Sequence, residues 1–206
     1  MSRFDEAAAC YEKTLALKPD FAEACNGLGV AYKESGRIDE AIRCYEKALA
    51  LRPDLAEAHN NLGLALHERG QVSEALAHCQ KAIALRPDFA EAHNNLGLAL
   101  RSQGRLEEAL ACYRKALALK PDYAEACNNL GVALYDQGML DEAVAYHRKT
   151  LTLKPDYAMA HNNLGIALQE QRRLDEAVAH FEKALAIDPG YAAAHDGLGS
   201  ALGDQG

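Results

Sequence analysis

The chain has 206 residues, 49% of them hydrophobic and 25% charged, with no tryptophan and a formal charge of −8. Its apolar half is mostly Ala and Leu, which suits close-packed helices better than a sandwich or barrel, and no run approaches the roughly 18–20 apolar residues that span a bilayer. The acidic balance argues against phosphate-neutralising nucleic-acid binding. The opening MSRFDEAAAC lacks the basic-then-apolar order of a secretory signal, so the six cysteines are read as reduced thiols in a cytoplasmic protein.

The prolines are evenly spaced. Pro19, Pro53, Pro87, Pro121, Pro155 and Pro189 lie 34 residues apart. Gly29, Gly63, Gly97, Gly131, Gly165 and Gly199 keep the same step, as do Leu28, Leu62, Leu96, Leu130, Leu164 and Leu198. Coincident columns of one period define an internal repeat. In the unit from Asp54 to Pro87, Asp54 and Glu57 read as a capping pair that opens a first helix. Gly70 stops that helix in the left-handed conformation. Arg172 interrupts the Gly36, Gly70, Gly104, Gly138 column and must take that conformation with a Cβ. A second helix begins near Ser73 and Glu74 and ends at Arg86, because Pro87 disfavours helix in the residue before it. Each unit is therefore an antiparallel helix pair.

With Leu62-Gly63, Ala75, Tyr45 or Tyr113, Ala82 and Pro87 in place, the unit resembles the tetratricopeptide repeat (TPR). The resemblance implies an all-α fold, a right-handed superhelical α-solenoid with first helices lining its inner surface. In chain order, residues 3–17 correspond to the second helix of a partial repeat. Residues 22–55, 56–89, 90–123, 124–157 and 158–191 correspond to full repeats, and 192–203 to the first helix of another partial one. The array is expected to be a single domain. Its half-repeat ends are complementary, which raises two compatible expectations: head-to-tail self-association, and a piece of a longer array.

Two columns of potential ligands run along the chain. Cys25, His59, His93, Cys127, His161 and His195 lie on first helices; Cys10, Cys44, His78, Cys112, Tyr146 and His180 lie on second helices. Packed helices stand about 8–10 Å apart, whereas zinc holds its ligands about 2 Å from one centre. Neither ladder converges on a point, so both columns are read as spacers, with no metal, cofactor or catalytic set expected.

The inner face carries the functional reading. Asn60, Asn94, Asn128 and Asn162 form one amide rail, begun by Asn26. Asn61, Asn95, Asn129 and Asn163 form a second, beside an aliphatic column that includes Leu64, Leu98 and Val132. On helical geometry the Asn60 rail is expected to point more openly into the groove. An amide both donates and accepts, so a row of them can hold an extended peptide backbone. This face resembles that of the TPR region of O-linked N-acetylglucosamine transferases, whose asparagine ladder grips substrate backbones. The resemblance puts such a ladder on Asn61, Asn95, Asn129 and Asn163. The competing reading is that these amides bond neighbouring helices. The acids Glu23, Glu57, Glu91 and Glu125 suggest a neutral to basic partner, or merely cap helices. Glu57, Glu91, Leu64 and Leu98 stand where the family's carboxylate clamp needs cations, which excludes that mode. A non-catalytic scaffold that binds an extended partner segment is expected; the alternative is the substrate-recruiting arm of a larger enzyme such as a glycosyltransferase.

Overall fold

The proline and glycine punctuation becomes the boundaries of twelve helices in a computed structural model that describes residues 3–206. They are α1 (Arg3–Leu17), α2 (Ala22–Glu34), α3 (Ile38–Leu51), α4 (Ala56–Glu68), α5 (Val72–Leu85), α6 (Ala90–Ser102), α7 (Leu106–Leu119), α8 (Ala124–Asp136), α9 (Leu140–Leu153), α10 (Ala158–Glu170), α11 (Leu174–Ile187) and α12 (Ala192–Gln205). The chain divides into two compact units, Met1–Arg105 and Leu106–Gly206.

In the first unit α2 pairs with α3 and α4 with α5, while α1 packs on α2 and α6 on α5. In the second, α8 pairs with α9 and α10 with α11, with α7 on α8 and α12 on α11. First helices also touch one another: α2 meets α4 and α4 meets α6, and likewise α8 meets α10 and α10 meets α12. The first helices of each unit therefore form a continuous face.

The turn inside each pair has a local cause. Gly36, Gly70, Gly104 and Gly138 take φ between 75° and 83°, a region that costs glycine little. At the end of α4 the Gly70 N–H donates to His67 O at 2.9 Å and the Gln71 N–H to Leu66 O at 2.8 Å, which ties off the last carbonyls. Arg172 does the same work at φ 60°.

The first-helix starts differ from expectation. The N-cap of α4 is Leu55, with no side-chain cap hydrogen bond, and the caps of α2 and α6 are Phe21 and Phe89. Asp54 lies in the turn before the helix. Glu57 does not reach back to it but pairs with Arg86 Nη1 at 2.8 Å. The cap residue is apolar because it is needed as packing: Leu55 is buried against Ala22, Cys25, Ala48 and Ala58.

The core follows the columns. Ala41, Ala75, Ala109, Ala143 and Ala177 are fully buried, small residues that let paired helices approach closely. Tyr45, Tyr113 and Phe181 are equally buried and fill the remaining space.

Candidate functional site

The two asparagine rails join by hydrogen bonds. In the first unit Asn94 Nδ2 donates to Asn95 Oδ1 at 3.3 Å, and Asn95 Nδ2 donates to Asn60 Oδ1 at 2.9 Å. Asn60 Nδ2 then donates to Asn61 Oδ1 at 3.4 Å, and Asn61 Nδ2 to Asn26 Oδ1 at 3.1 Å. Five amides thus form one relay across α6, α4 and α2. In the second unit Asn163 Nδ2 donates to Asn128 Oδ1 at 3.2 Å.

This geometry reverses the expected order of exposure. Asn60, Asn94, Asn128 and Asn162 are buried, whereas Asn26, Asn61, Asn129 and Asn163 are half-buried; Asn95 is buried with its neighbour Asn94. Asn60 faces the next first helix, where Asn95 reaches it, so it lies between helices instead of opening into the groove. The second rail still has hydrogen-bonding capacity. Asn61 uses one of two donors and one of two acceptor positions in the relay.

Beside the relay, Leu64 and Leu98 in the first unit and Val132 and Ile166 in the second are half-buried, and Val30 is 37% exposed. His67 crosses from α4 to α6, its ring nitrogen Nε2 2.8 Å from Ser102 Oγ. Desolvation holds its pKa below the ordinary histidine value.

The acids at the helix starts are mostly engaged. Glu23 pairs with Arg52 at 2.9 Å, Glu57 with Arg86 at 2.8 Å and Glu125 with Lys154 at 3.5 Å. In each case the cation comes from the end of the second helix in the same repeat. Lys33 lies between Glu34 at 2.9 Å and Glu68 at 3.8 Å. These exposed pairs add little stability, but they offset much of the negative field expected on this face.

The two spacer columns meet, which reading them one at a time missed. His59 Nδ1 lies 2.9 Å from His78 Nδ1, and His161 Nδ1 lies 3.0 Å from His180 Nδ1. The other nitrogen of His59 bonds Pro53 O at 3.0 Å, and that of His161 bonds Pro155 O at 3.0 Å. A carbonyl only accepts, so Nε2 of His59 and His161 carries the proton, and Nδ1 accepts from the Nδ1–H of His78 or His180. Burial lowers the pKa of all four rings, His180 to about 4. The visible signal was the constant offset of 19 residues between the columns. Among the described residues, no group of three or more His, Cys, Asp or Glu side chains gathers to hold a metal ion. The described cysteines are in no disulfide bond, and no described helix is long and apolar enough to cross a membrane.

Comparison with known proteins agrees with the repeat. Profiles described as "TPR repeat" match residues 1–36, 31–68, 63–100 and 97–138, and one described as "Tetratricopeptide repeat" matches 122–190. No curated protein sequence matches. Among solved structures, a chain of the APC/C Cut9–Hcn1 hetero-tetramer aligns with TM-score 0.91 and 25% identity over 97% of this chain. This chain spans only 40% of that one. TTC0263, a thermophilic TPR protein of Thermus thermophilus, aligns with TM-score 0.77 and 28% identity, covering 88% of this chain and 99% of its own. MamA aligns with TM-score 0.64 and 31% identity, covering 80% of this chain and 96% of its own. The 34-residue columns, the helix pairs and the matched profiles converge: the chain belongs to the tetratricopeptide repeat family.

Proposed function

We propose that the chain is a non-catalytic cytoplasmic scaffold whose first-helix face docks an extended segment of a partner protein. The observation that carries this reading is the row of half-exposed aliphatic side chains, Leu64 and Leu98 in one unit and Val132 and Ile166 in the other, beside amides with spare valences. Apolar side chains left at a surface at regular intervals suit a partner that supplies apolar residues in turn. The half-buried amides of Asn61 and Asn163 then hold its backbone through their free N–H and lone pair. Buried Asn60, Asn94, Asn95 and Asn128 serve the site indirectly, by fixing the position of the outer amides, as does Asn26 at the end of the relay; Asn129 and Asn162 belong to the same rails. The acids are largely paired, so the segment is neutral to basic rather than strongly cationic. A chain of the Cut9–Hcn1 hetero-tetramer, 40% of which is similar to this chain, is solved within a complex, which fits a role in assembly.

The test selects binders from a displayed library of random, unstructured fifteen-residue peptides and measures them by fluorescence anisotropy. Peptides that bind the native chain are expected to weaken at least about tenfold, or roughly 1.4 kcal/mol, with Leu64→Lys and Leu98→Lys. Lys183→Ala, on a second helix, is expected to leave binding unchanged. Selected peptides that bind the groove variants as tightly as the native chain would dismiss the proposal, and so would a selection that yields none.

A further inference from the structure

A single column of histidines and cysteines cannot gather around one ion, but two columns meet. His59 on α4 sets its Nδ1 2.9 Å from that of His78 on α5, and His161 on α10 sets its Nδ1 3.0 Å from that of His180 on α11. The carbonyls of Pro53 and Pro155 accept the Nε2–H of His59 and His161, each at 3.0 Å. Metal-binding histidines ordinarily have this outer support: it fixes the tautomer, stops the ring from turning and directs the Nδ1 lone pair. His59 and His161 are buried, whereas His78 and His180 are half-buried. Burial lowers the pKa of all four rings, so at neutral pH an ion meets uncharged imidazoles.

The spacing selects among ions. Nitrogens about 2.0–2.1 Å from one ion and 2.9–3.0 Å from each other subtend an angle of about 90° at that ion. A tetrahedral ion such as zinc would hold them about 3.3 Å apart. A right angle suits neighbouring positions of a square-planar or tetragonal ion, the geometry of copper(II) and nickel(II). Access is open at the second pair, where His161 and His180 line a cavity of 590 Å³ with Arg148, Thr152, Asp156 and Lys183. Arg148 and Lys183 oppose a cation there, but Asp156 offsets them and Glu176 binds Arg148 at 3.1 Å. The rings of the first pair feel Lys81 and Glu74, and Glu46 holds the column position of Arg148. The first pair therefore has the more favourable charge.

We propose that each histidine pair is a two-ligand site for a divalent transition-metal ion of right-angled coordination, nickel(II) or copper(II) in type, bridging the two helices of its repeat. On binding, His59 and His161 keep their Nε2 protons on the proline carbonyls. His78 and His180 give up the Nδ1 proton and take one from water at Nε2. Each pair stays neutral, and the ion meets two lone pairs, with water in its remaining positions. The site lies between the helices of a pair, apart from the first-helix face proposed above for peptide docking.

Nickel(II) chloride is the probe, because it leaves the six cysteine thiols unoxidised. Isothermal titration of the 206-residue chain at neutral pH, in a non-coordinating buffer, is expected to show two ions bound per chain. His78→Gln and His180→Gln each retain an N–H to donate to the facing Nδ1 but remove the imidazole ligand. Each is expected to weaken one of the two binding steps at least about tenfold, and the double variant both, while circular dichroism melts stay close to the native. In proton NMR of the native chain, nickel is expected to broaden the ring signals of His59, His78, His161 and His180 before those of His67 and His147. A native chain that takes up no nickel overturns the proposal. So does a double variant that binds like the native chain, since that outcome places the ion on the cysteines. Broadening of His67 or His147 ahead of the pairs also refutes it, whether or not the variants fold.

Discussion

The Phe181 ring lies so close over Gly165 that a Cβ on that glycine would stand 2.7 Å from its Cε1. The same approach recurs between Tyr45 and Gly29, and between His147 and Gly131. The glycine column thus records where a bulky side chain of one helix meets the backbone of its partner.

Substituting Gly165→Ala should therefore destabilise the second unit, although alanine is the better helix former. Phe181 has no free side to move into, because Gly197 closes the opposite face. Overpacking of this kind costs about 1–3 kcal/mol. Gly203→Ala, whose Cβ meets nothing within 4 Å, should instead gain about 0.5–1 kcal/mol from helix propensity alone. Urea denaturation of the two variants should show midpoints displaced in opposite directions.

His147 takes the place in this column that Phe181 and Tyr45 take elsewhere, and it is buried with its Nδ1 lacking a hydrogen-bond partner. Burial lowers its pKa from 6.5 to about 4. Below pH 6.5 the unfolded chain takes up a proton that the folded ring refuses, so stability is complete above that pH and declines as pH falls toward 4. The loss from this one group is about 3 kcal/mol. His147→Phe should raise stability at neutral pH by about 1–2 kcal/mol, because it removes an orphaned buried polar atom. It should also flatten the decline between pH 6.5 and 4, leaving the smaller slope due to His180 and the other lowered rings. Thermal melts across that range would check both effects; an unchanged slope would mean that His147 titrates normally.

Much of the fold was legible because its signals are local. Gly70 and Pro87 each act on the backbone within a residue or two, so their spacing reveals the helix pairs directly. The burial of Ala75 and Leu62 follows from helical periodicity. The polar contacts were less legible because they cross columns. Asn61 bonds Asn26, and Asn95 bonds Asn60, at a separation of 35, one more than the repeat. Comparing residues at equal positions, as with Asn61 and Asn95, therefore never sets the true partners side by side. The histidine pairs were hidden for the same reason, since His59 and His78 occupy different columns. Glu57 misled in another way: its place beside Asp54 resembles a cap, but its partner is Arg86 at the far end of the pair.

Arg172 is the one described non-glycine residue with positive φ, at 60°. Four equivalent turns use glycine at this position. The left-handed conformation costs a residue with a Cβ about 1–2 kcal/mol, and the Arg172 guanidinium recovers little of that, standing 3.9 Å from Asp204 on an exposed surface. Arg172→Gly is expected to stabilise the second unit by roughly 0.5–1 kcal/mol once the added freedom of the unfolded chain is counted. Arg172→Asn should give a smaller gain, and Arg172→Val a loss. Denaturation midpoints that fail to follow the order Gly, Asn, Arg, Val would mean that backbone strain does not control this turn.

The amide relay makes a sharper distinction between two asparagines of one column. Asn60 both accepts from Asn95 and donates to Asn61. Asn162 Oδ1 is buried with no hydrogen-bond partner, because the position from which an amide would reach it is Gly197. Asn60→Ala leaves the Asn95 donor and the Asn61 acceptor without their partners, a loss of about 1–3 kcal/mol. Asn162→Ala removes an acceptor that is already unsatisfied, so it should cost less than half as much. Both substitutions bring the same gain in helix propensity and the same change in volume, which leaves the hydrogen bonds as the difference. Equal losses of stability in the two variants would show that the relay is a geometric coincidence without energetic weight. Unequal losses would establish that these amides hold the first helices in register, the condition under which Asn61 and Leu64 can present a fixed surface to a partner.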